Sequence, residues 1–140
     1  MIAIFLFYNK TNGFQSIFST RGIKHCNIIC YDGQDFIIFG LEEHGISFRR
    51  IKSKSTLKIM RNIKVIESLI CMIVVHVDEP KKILWKPFWV RSCNELCRYF
   101  SGVDIGFTFN PYHLIKKLLK YNNKRNYQVL SVWSRNNGIQ

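Results

Sequence analysis

The feature that most constrains this chain is a β-hairpin signal near its start. Residues 24–31, Lys-His-Cys-Asn-Ile-Ile-Cys-Tyr, run into Asp32-Gly33-Gln34-Asp35, and residues 36–40, Phe-Ile-Ile-Phe-Gly, run out. β-Branched and aromatic side chains favour a pleated strand, and an Asp-Gly pair supplies the turn that joins two such runs. The same strand signal recurs at residues 2–8, closed by the turn cluster Asn9-Lys10-Thr11-Asn12-Gly13. It recurs again at residues 46–51 after Glu42-Glu43-His44-Gly45, and at residues 70–77 before Asp78-Glu79-Pro80.

The helix signals come later. Ser92 with Glu95 three residues on is a capping box, Leu96, Tyr99 and Phe100 give an apolar face, and Gly102 ends the run. Asn110-Pro111 opens a second helix with proline at the first helical position, striped by Leu114, Ile115, Leu118 and Leu119. Residues 14–20 read as a short helix or an irregular segment, residues 52–64 as a basic stretch of mixed pattern, and residues 81–91 as a loop. Residues 127–132 carry one further strand signal. Strands first and helices last predict an α+β fold, an antiparallel sheet or half-barrel packed against a C-terminal pair of helices. The 140 residues suit one domain, expected over 1–122, with 123–140 as a basic tail or edge strand.

Composition narrows the class. Hydrophobic residues at 47% and charged residues at 21% exclude a disordered chain. A net charge of +12 points to an anionic partner such as nucleic acid, a membrane surface or cell wall. From residue 105 to residue 140 there is no acidic residue, and Lys116, Lys117 and Lys120 lie on one side of the second helix. Tyr121, Tyr127 and Trp133 interleave with this basic region, without a nucleic-acid-binding motif. The cysteines, Cys26, Cys30, Cys71, Cys93 and Cys97, are odd in number, so reduced thiols are expected rather than a disulfide framework. Their spacing offers no zinc knuckle, and neither metal nor cofactor is expected. No apolar run has the length of a membrane span, and the N-terminus lacks the pattern of a signal peptide. The expected location is the cytoplasm of the producing cell, with association with a virion as the alternative.

Cys93 is the candidate for chemistry. It follows the N-cap Ser92, so its sulfur falls in the first turn of a helix, where unpaired backbone N–H groups and the helix dipole favour a thiolate. Cys97, one turn deeper, reads as core. Four histidines compete as its base. His25 stands at the entrance of the hairpin strand, where a side chain can face a cleft. His76 reads as a core histidine, His113 as exposed in a helix's first turn, and His44 as solvated in a turn. Trp85, Phe88 and Trp89 precede the cysteine helix and either wall a substrate groove or cap the open end of the sheet.

Together these pieces resemble the NlpC-type papain-like superfamily, in its circularly permuted branch of lecithin–retinol acyltransferase-like and YiiX-like proteins. The resemblance rests on His25 followed by the β-run 26–31 and Asp32-Gly33, then Gly45-Ile46, and later Ser92-Cys93-Asn94-Glu95-Leu96. Phe109-Asn110-Pro111-Tyr112-His113-Leu114 resembles the Thr-Pro-x-x-Leu element that follows in phage-encoded relatives. The resemblance covers residues 22–51 and 91–121. It implies Cys93 as nucleophile and His25 as general base. It also implies a third polar residue on the neighbouring strand, where Ile37, Ile38 and Phe39 stand here; Glu42, Glu43 or His44 in the next loop would have to replace it. The expected activity is a cysteine hydrolase of amidase or endopeptidase type, or an acyltransferase, acting on peptidoglycan or another peptide, with a lipid ester the less favoured substrate. The alternatives are a catalytically silent module of a larger viral particle, and a basic nucleic-acid-binding protein.

Overall fold

A computed structural model describes residues 1–10, 22–42, 45–52, 56–78, 92–102, 108, 110–123 and 127–135. In chain order the elements are β1 (Ile2–Tyr8), β2 (His25–Tyr31), β3 (Phe36–Glu42), β4 (Gly45–Ile51), α1 (Thr56–Lys64), β5 (Leu69–Val77), α2 (Cys93–Phe100), α3 (Pro111–Lys120) and β6 (Tyr127–Ser134). The strands form one open antiparallel sheet of six in the order β4-β3-β2-β1-β5-β6. The fold is α+β, with an open sheet rather than a half-barrel.

Two features depart from the order expected of strands first and helices last. The basic stretch of mixed pattern forms α1, between β4 and β5, and β6 returns after the helices to the edge beside β5. The mixed pattern is an amphipathic helix seen end on. Ile59 and Ile63, four residues apart, are buried, while Lys58, Arg61 and Lys64 are exposed. The C-terminal region from Tyr127 to Ser134 is an edge strand rather than a tail. The irregular segment expected at residues 14–20 and the aromatic loop at 81–91 lie outside the described residues.

The sheet is covered on both faces. On one, Ala3, Phe5 and Phe7 of β1, Cys26, Ile28 and Cys30 of β2, and Cys71, Ile73 and Val75 of β5 meet α2 and α3 through Cys97, Leu114 and Leu118. On the other, Ile4, Leu6, Ile29, Met72 and Val74 meet Ile59 and Ile63 of α1. Two-sided cover explains why residues 2–7 and 69–75 read as unbroken apolar runs. A strand with one wet face would alternate. The edge strand β4 is instead exposed on both faces toward its end, where the consecutive residues Arg49 and Arg50 are exposed and Phe48 is 77% exposed.

Register fixes which strand ends meet. Tyr8 at the end of β1 pairs with His25 at the start of β2 and with Leu69 at the start of β5, while Cys71 pairs with Ser134 near the end of β6. His25, Tyr8, Leu69 and Ser134 therefore share one end of the sheet. At the β2–β3 turn, Asp32 Oδ1 accepts from the backbone N–H of Gln34 at 2.8 Å and of Asp35 at 2.9 Å, and Gly33 takes φ 108°. The Arg50 guanidinium pairs with the Asp35 carboxylate and ties β4 to this turn. The opposite end of the sheet is held by the chain terminus, where the Met1 ammonium donates to Val77 O at 2.8 Å.

Helix α2 runs between the two ends. It starts at Cys93 with Ser92 as N-cap, whose Oγ accepts from Glu95 N at 3.2 Å, and it closes at Ser101. Gly102 follows in the left-handed region, φ 71°, and a Cβ placed there would collide with Val77 Cγ1. Both the backbone conformation and the space thus require glycine. Gly102→Ala should cost roughly 2–4 kcal/mol, from left-handed strain plus overpacking, as read by urea unfolding. Adding Val77→Ala should return the steric part and leave the strain.

Candidate active site

The start of α2 meets the start of β2. Asn94 and Cys97 of α2 lie over Cys26, and Cys26 Sγ donates to Asn94 Oδ1 at 3.4 Å. Phe100 packs on Phe39 of β3, ring centroids 4.3 Å apart, and anchors the far end of the helix on the same face. Cys93 lies in this cluster and is 4% exposed.

Strand alternation sends Cys26 toward α2, and sends His25 and Asn27 the other way. His25 nevertheless contacts groups on both sides. Its ring lies 6.1 Å from that of Tyr8, its Nε2 is 2.8 Å from Asn27 Oδ1, and it interacts with Cys93. As the first residue of β2 it occupies the rim of the sheet, where the end of the strand confines the imidazole to neither face. The two sequence candidates, Cys93 and His25, are thus placed within reach of one another.

Asn27 settles the tautomer. An amide oxygen is an acceptor only, so Nε2 carries a proton in the neutral ring and in the cation alike, and Nδ1 is the nitrogen that takes up or gives up a proton. Nδ1 is buried and makes no closed hydrogen bond. The Cys93 sulfur interacts with this ring, and in catalytic pairs such a hydrogen bond commonly tightens only when substrate arrives. Asn27 is itself held, since its side chain hydrogen-bonds the Tyr8 hydroxyl. Gly40 of β3 leaves room for that amide: a Cβ there would lie 3.5 Å from Asn27 Oδ1 and 3.3 Å from Ser47 Oγ.

The electrostatics follow from these contacts. The Cys93 thiol is lowered to about 5, first by side-chain hydrogen bonding with Cys26, whose single thiol proton is shared between the Cys93 sulfur and Asn94 Oδ1, against the opposing effect of burial. The His25 imidazole, by hydrogen bonding and by charge, and the Cys26 backbone N–H complete the shift. His25 itself is raised: burial disfavours its cation, but the Cys93 sulfur and Asn27 outweigh that. The neighbours move oppositely. Burial pushes Cys26 well up, with the Cys93 and Cys97 sulfurs adding to the effect, and burial pushes Cys30 and Cys71 to about 12. Cys93 is thus shifted down where Cys26, Cys30 and Cys71 are shifted up.

Other sequence-predicted residues stand apart. His76 was expected in the core, but its side chain is 43% exposed and its Nδ1 lies 3.1 Å from Asp78 Oδ1. It sits next to the last residue of β5, where the sheet's cover ends. His113 is exposed on α3, as its place in the first turn implies. The Glu42 side chain, Glu43, His44, Trp85, Phe88 and Trp89 lie outside the described residues. The polar group found at the imidazole is Asn27, which sequence reasoning missed by looking across to the next strand. Its signal was the i, i+2 spacing from His25, which puts two side chains on one face of a strand. Cys26 was missed too, standing in the sequence only as one of five expected reduced thiols. Among the described residues no group of three or more His, Cys, Asp or Glu side chains is placed to hold a metal ion.

The chain matches no family model, and no similar curated protein or solved structure was found.

The pH dependence of alkylation tests the site. Cys93 is a thiolate above its pKa, so labelling by iodoacetamide, followed by mass spectrometry, should fall only as pH drops through about 5. An ordinary thiol would already lose reactivity below its pKa of about 8.5. Cys26→Ala should move the Cys93 midpoint upward, Cys26→Ser less so because a hydroxyl still donates, and His25→Ala should also move it upward.

Proposed function

We propose that this protein is a thiol-dependent acyl-transfer enzyme, a hydrolase of amidase or endopeptidase type on a permuted papain-like scaffold. The observation that carries the reading is the set Cys93, His25 and Asn27, in which Nε2 is committed to Asn27 and Nδ1 is left for the sulfur. With the thiolate formed, His25 holds the proton. Cys93 Sγ attacks the carbonyl carbon of an amide, and the C–N bond breaks as His25 gives its proton to the leaving amine. The resulting thioester is attacked by water, whose proton passes to His25 Nδ1. The C–S bond then breaks, releasing the acid and restoring the thiolate and the imidazolium. The N–H of Cys93 has no partner within the helix and is available to the oxyanion.

The resemblance to the papain-like superfamily supports a peptide amide as substrate, with peptidoglycan peptides the favoured case and a phage-encoded origin its setting. Asn27 supplies the orienting partner whose place on the neighbouring strand is apolar. One observation favours a second reading, a silent module serving as a structural component. Cys93 is only 4% exposed, and a nucleophile must meet its substrate.

Trapping separates the two. An electrophilic acyl or chloromethylketone peptide should modify Cys93 selectively, with mass spectrometry locating the adduct. Against any peptide substrate so found, Cys93→Ala should abolish turnover, and His25→Ala should reduce it about 10²–10⁴-fold. Asn27→Ala should reduce it less and shift the acidic limb of the pH profile. Failure of every electrophile to modify Cys93 in the folded protein overturns the enzyme reading and leaves the silent module.

A further inference from the structure

We propose that the end of α1, together with Arg135, is a docking surface for an anionic lipid bilayer. The inner side of α1 is Ile59 and Ile63, both buried. Its outer side carries Lys58 and Arg61, and Val65, one turn beyond Arg61, is 76% exposed. Ile66 follows at 39% exposure and Lys64 is exposed beside them. Arg135 closes the patch from β6, donating through Nη2 to Ile66 O at 2.9 Å and to Lys64 O at 3.5 Å. Those bonds satisfy carbonyls at the helix end and hold the guanidinium against the turn that carries the two apolar side chains. The patch is therefore a built arrangement of cations around apolar residues.

Charge complementarity selects an anionic occupant, since residues 52–66 include Lys52, Lys54, Lys58, Arg61 and Lys64 and no acidic residue. Glu67, exposed just beyond, is the nearest acidic residue in the chain. The exposed Val65 and Ile66 select among anionic partners. A nucleic-acid backbone rewards the cations and gains nothing from aliphatic side chains. A bilayer surface rewards both, with cations at the headgroups and aliphatic groups at the acyl boundary. The turn also lies at the Leu69–Tyr8–His25 end of the sheet, so docking brings that end toward the lipid. The proposal does not rest on Cys93 chemistry, and Cys93→Ser should bind vesicles as the unaltered chain does.

Co-sedimentation of the full chain with vesicles tests it, using phosphatidylcholine alone and phosphatidylcholine mixed with phosphatidylglycerol. Binding is expected only to the mixed vesicles. Arg61→Gln with Lys64→Gln should weaken it roughly 25-fold, about fivefold per cation. Val65→Ser with Ile66→Ser should weaken it about tenfold. Thermal unfolding followed by circular dichroism should show all variants folded, since each altered side chain is exposed. No binding to anionic vesicles at low salt overturns the proposal. So does binding that Val65→Ser with Ile66→Ser leaves unchanged, or a DNA duplex held more tightly than the vesicles.

Discussion

Burial of the central strands on both faces is the constraint on which the rest of this structure depends. It gives β1 and β5 their continuous apolar sequences, and it removes the usual guard on register. In a sheet with one wet face, a one-residue slip would expose every core side chain. Here a slip exchanges one apolar face for another. Register must come from the ends, and the polar contacts are found there: the Asp32 turn, the Arg50–Asp35 pair, the Met1–Val77 bond, and Asn9 N donating to Ser68 O at 2.9 Å. Slipping β2 by one residue would turn Cys26 away from α2 and put His25 and Asn27 in its place. The candidate site thus depends on a turn at the other end of the hairpin.

The two ends of α2 do different work. At Gly102 the helix approaches β5 too closely for any side chain, which fixes where the helix finishes along the sheet. With eight residues between cap and close, this also fixes where it starts, above Cys26 and beside His25. A bulkier C-terminal residue would lift the helix and move the Cys93 sulfur from both groups that stabilise its thiolate. Packing at one end therefore sets the electrostatics at the other.

Much of this was legible in sequence, for reasons tied to local chemistry. The hairpin, the caps of α2 and α3 and the long apolar strands each carry their cause within a few residues, so they could be read directly. Cys93 was legible because a helix start is local, and His25 because a strand entrance is. Helix α1 was harder, since among its described side chains two buried isoleucines mark the inner face amid Lys58, Arg61 and Lys64. Asn27 and Cys26 were not legible as site residues. Their roles depend on which way β2 turns its side chains at the rim of the sheet, and on α2 arriving from far along the chain. His76 was misread because an apolar run does not reveal where the sheet's cover stops.

The net positive charge and the site answer to different physics. The lysines and arginines of α1, α3 and β4 are largely at the surface, where water screens them and each costs little. At the rim of the sheet a single buried charge would be expensive, and a thiolate–imidazolium pair carries none in total. The pair is also limited to a pH window. Cys93, depressed in the folded chain, contributes stability that is lost as pH falls through about 5. His25, raised in the folded chain, contributes stability that is lost as pH rises through its folded value. Between those limits both charges are present and each stabilises the other. Removing either residue takes away part of what holds its partner's charge in a buried place, beside Cys26 for the thiolate and Asn27 for the imidazolium. The two residues are therefore one electrostatic unit, although the chain separates them by 68 positions (93 − 25).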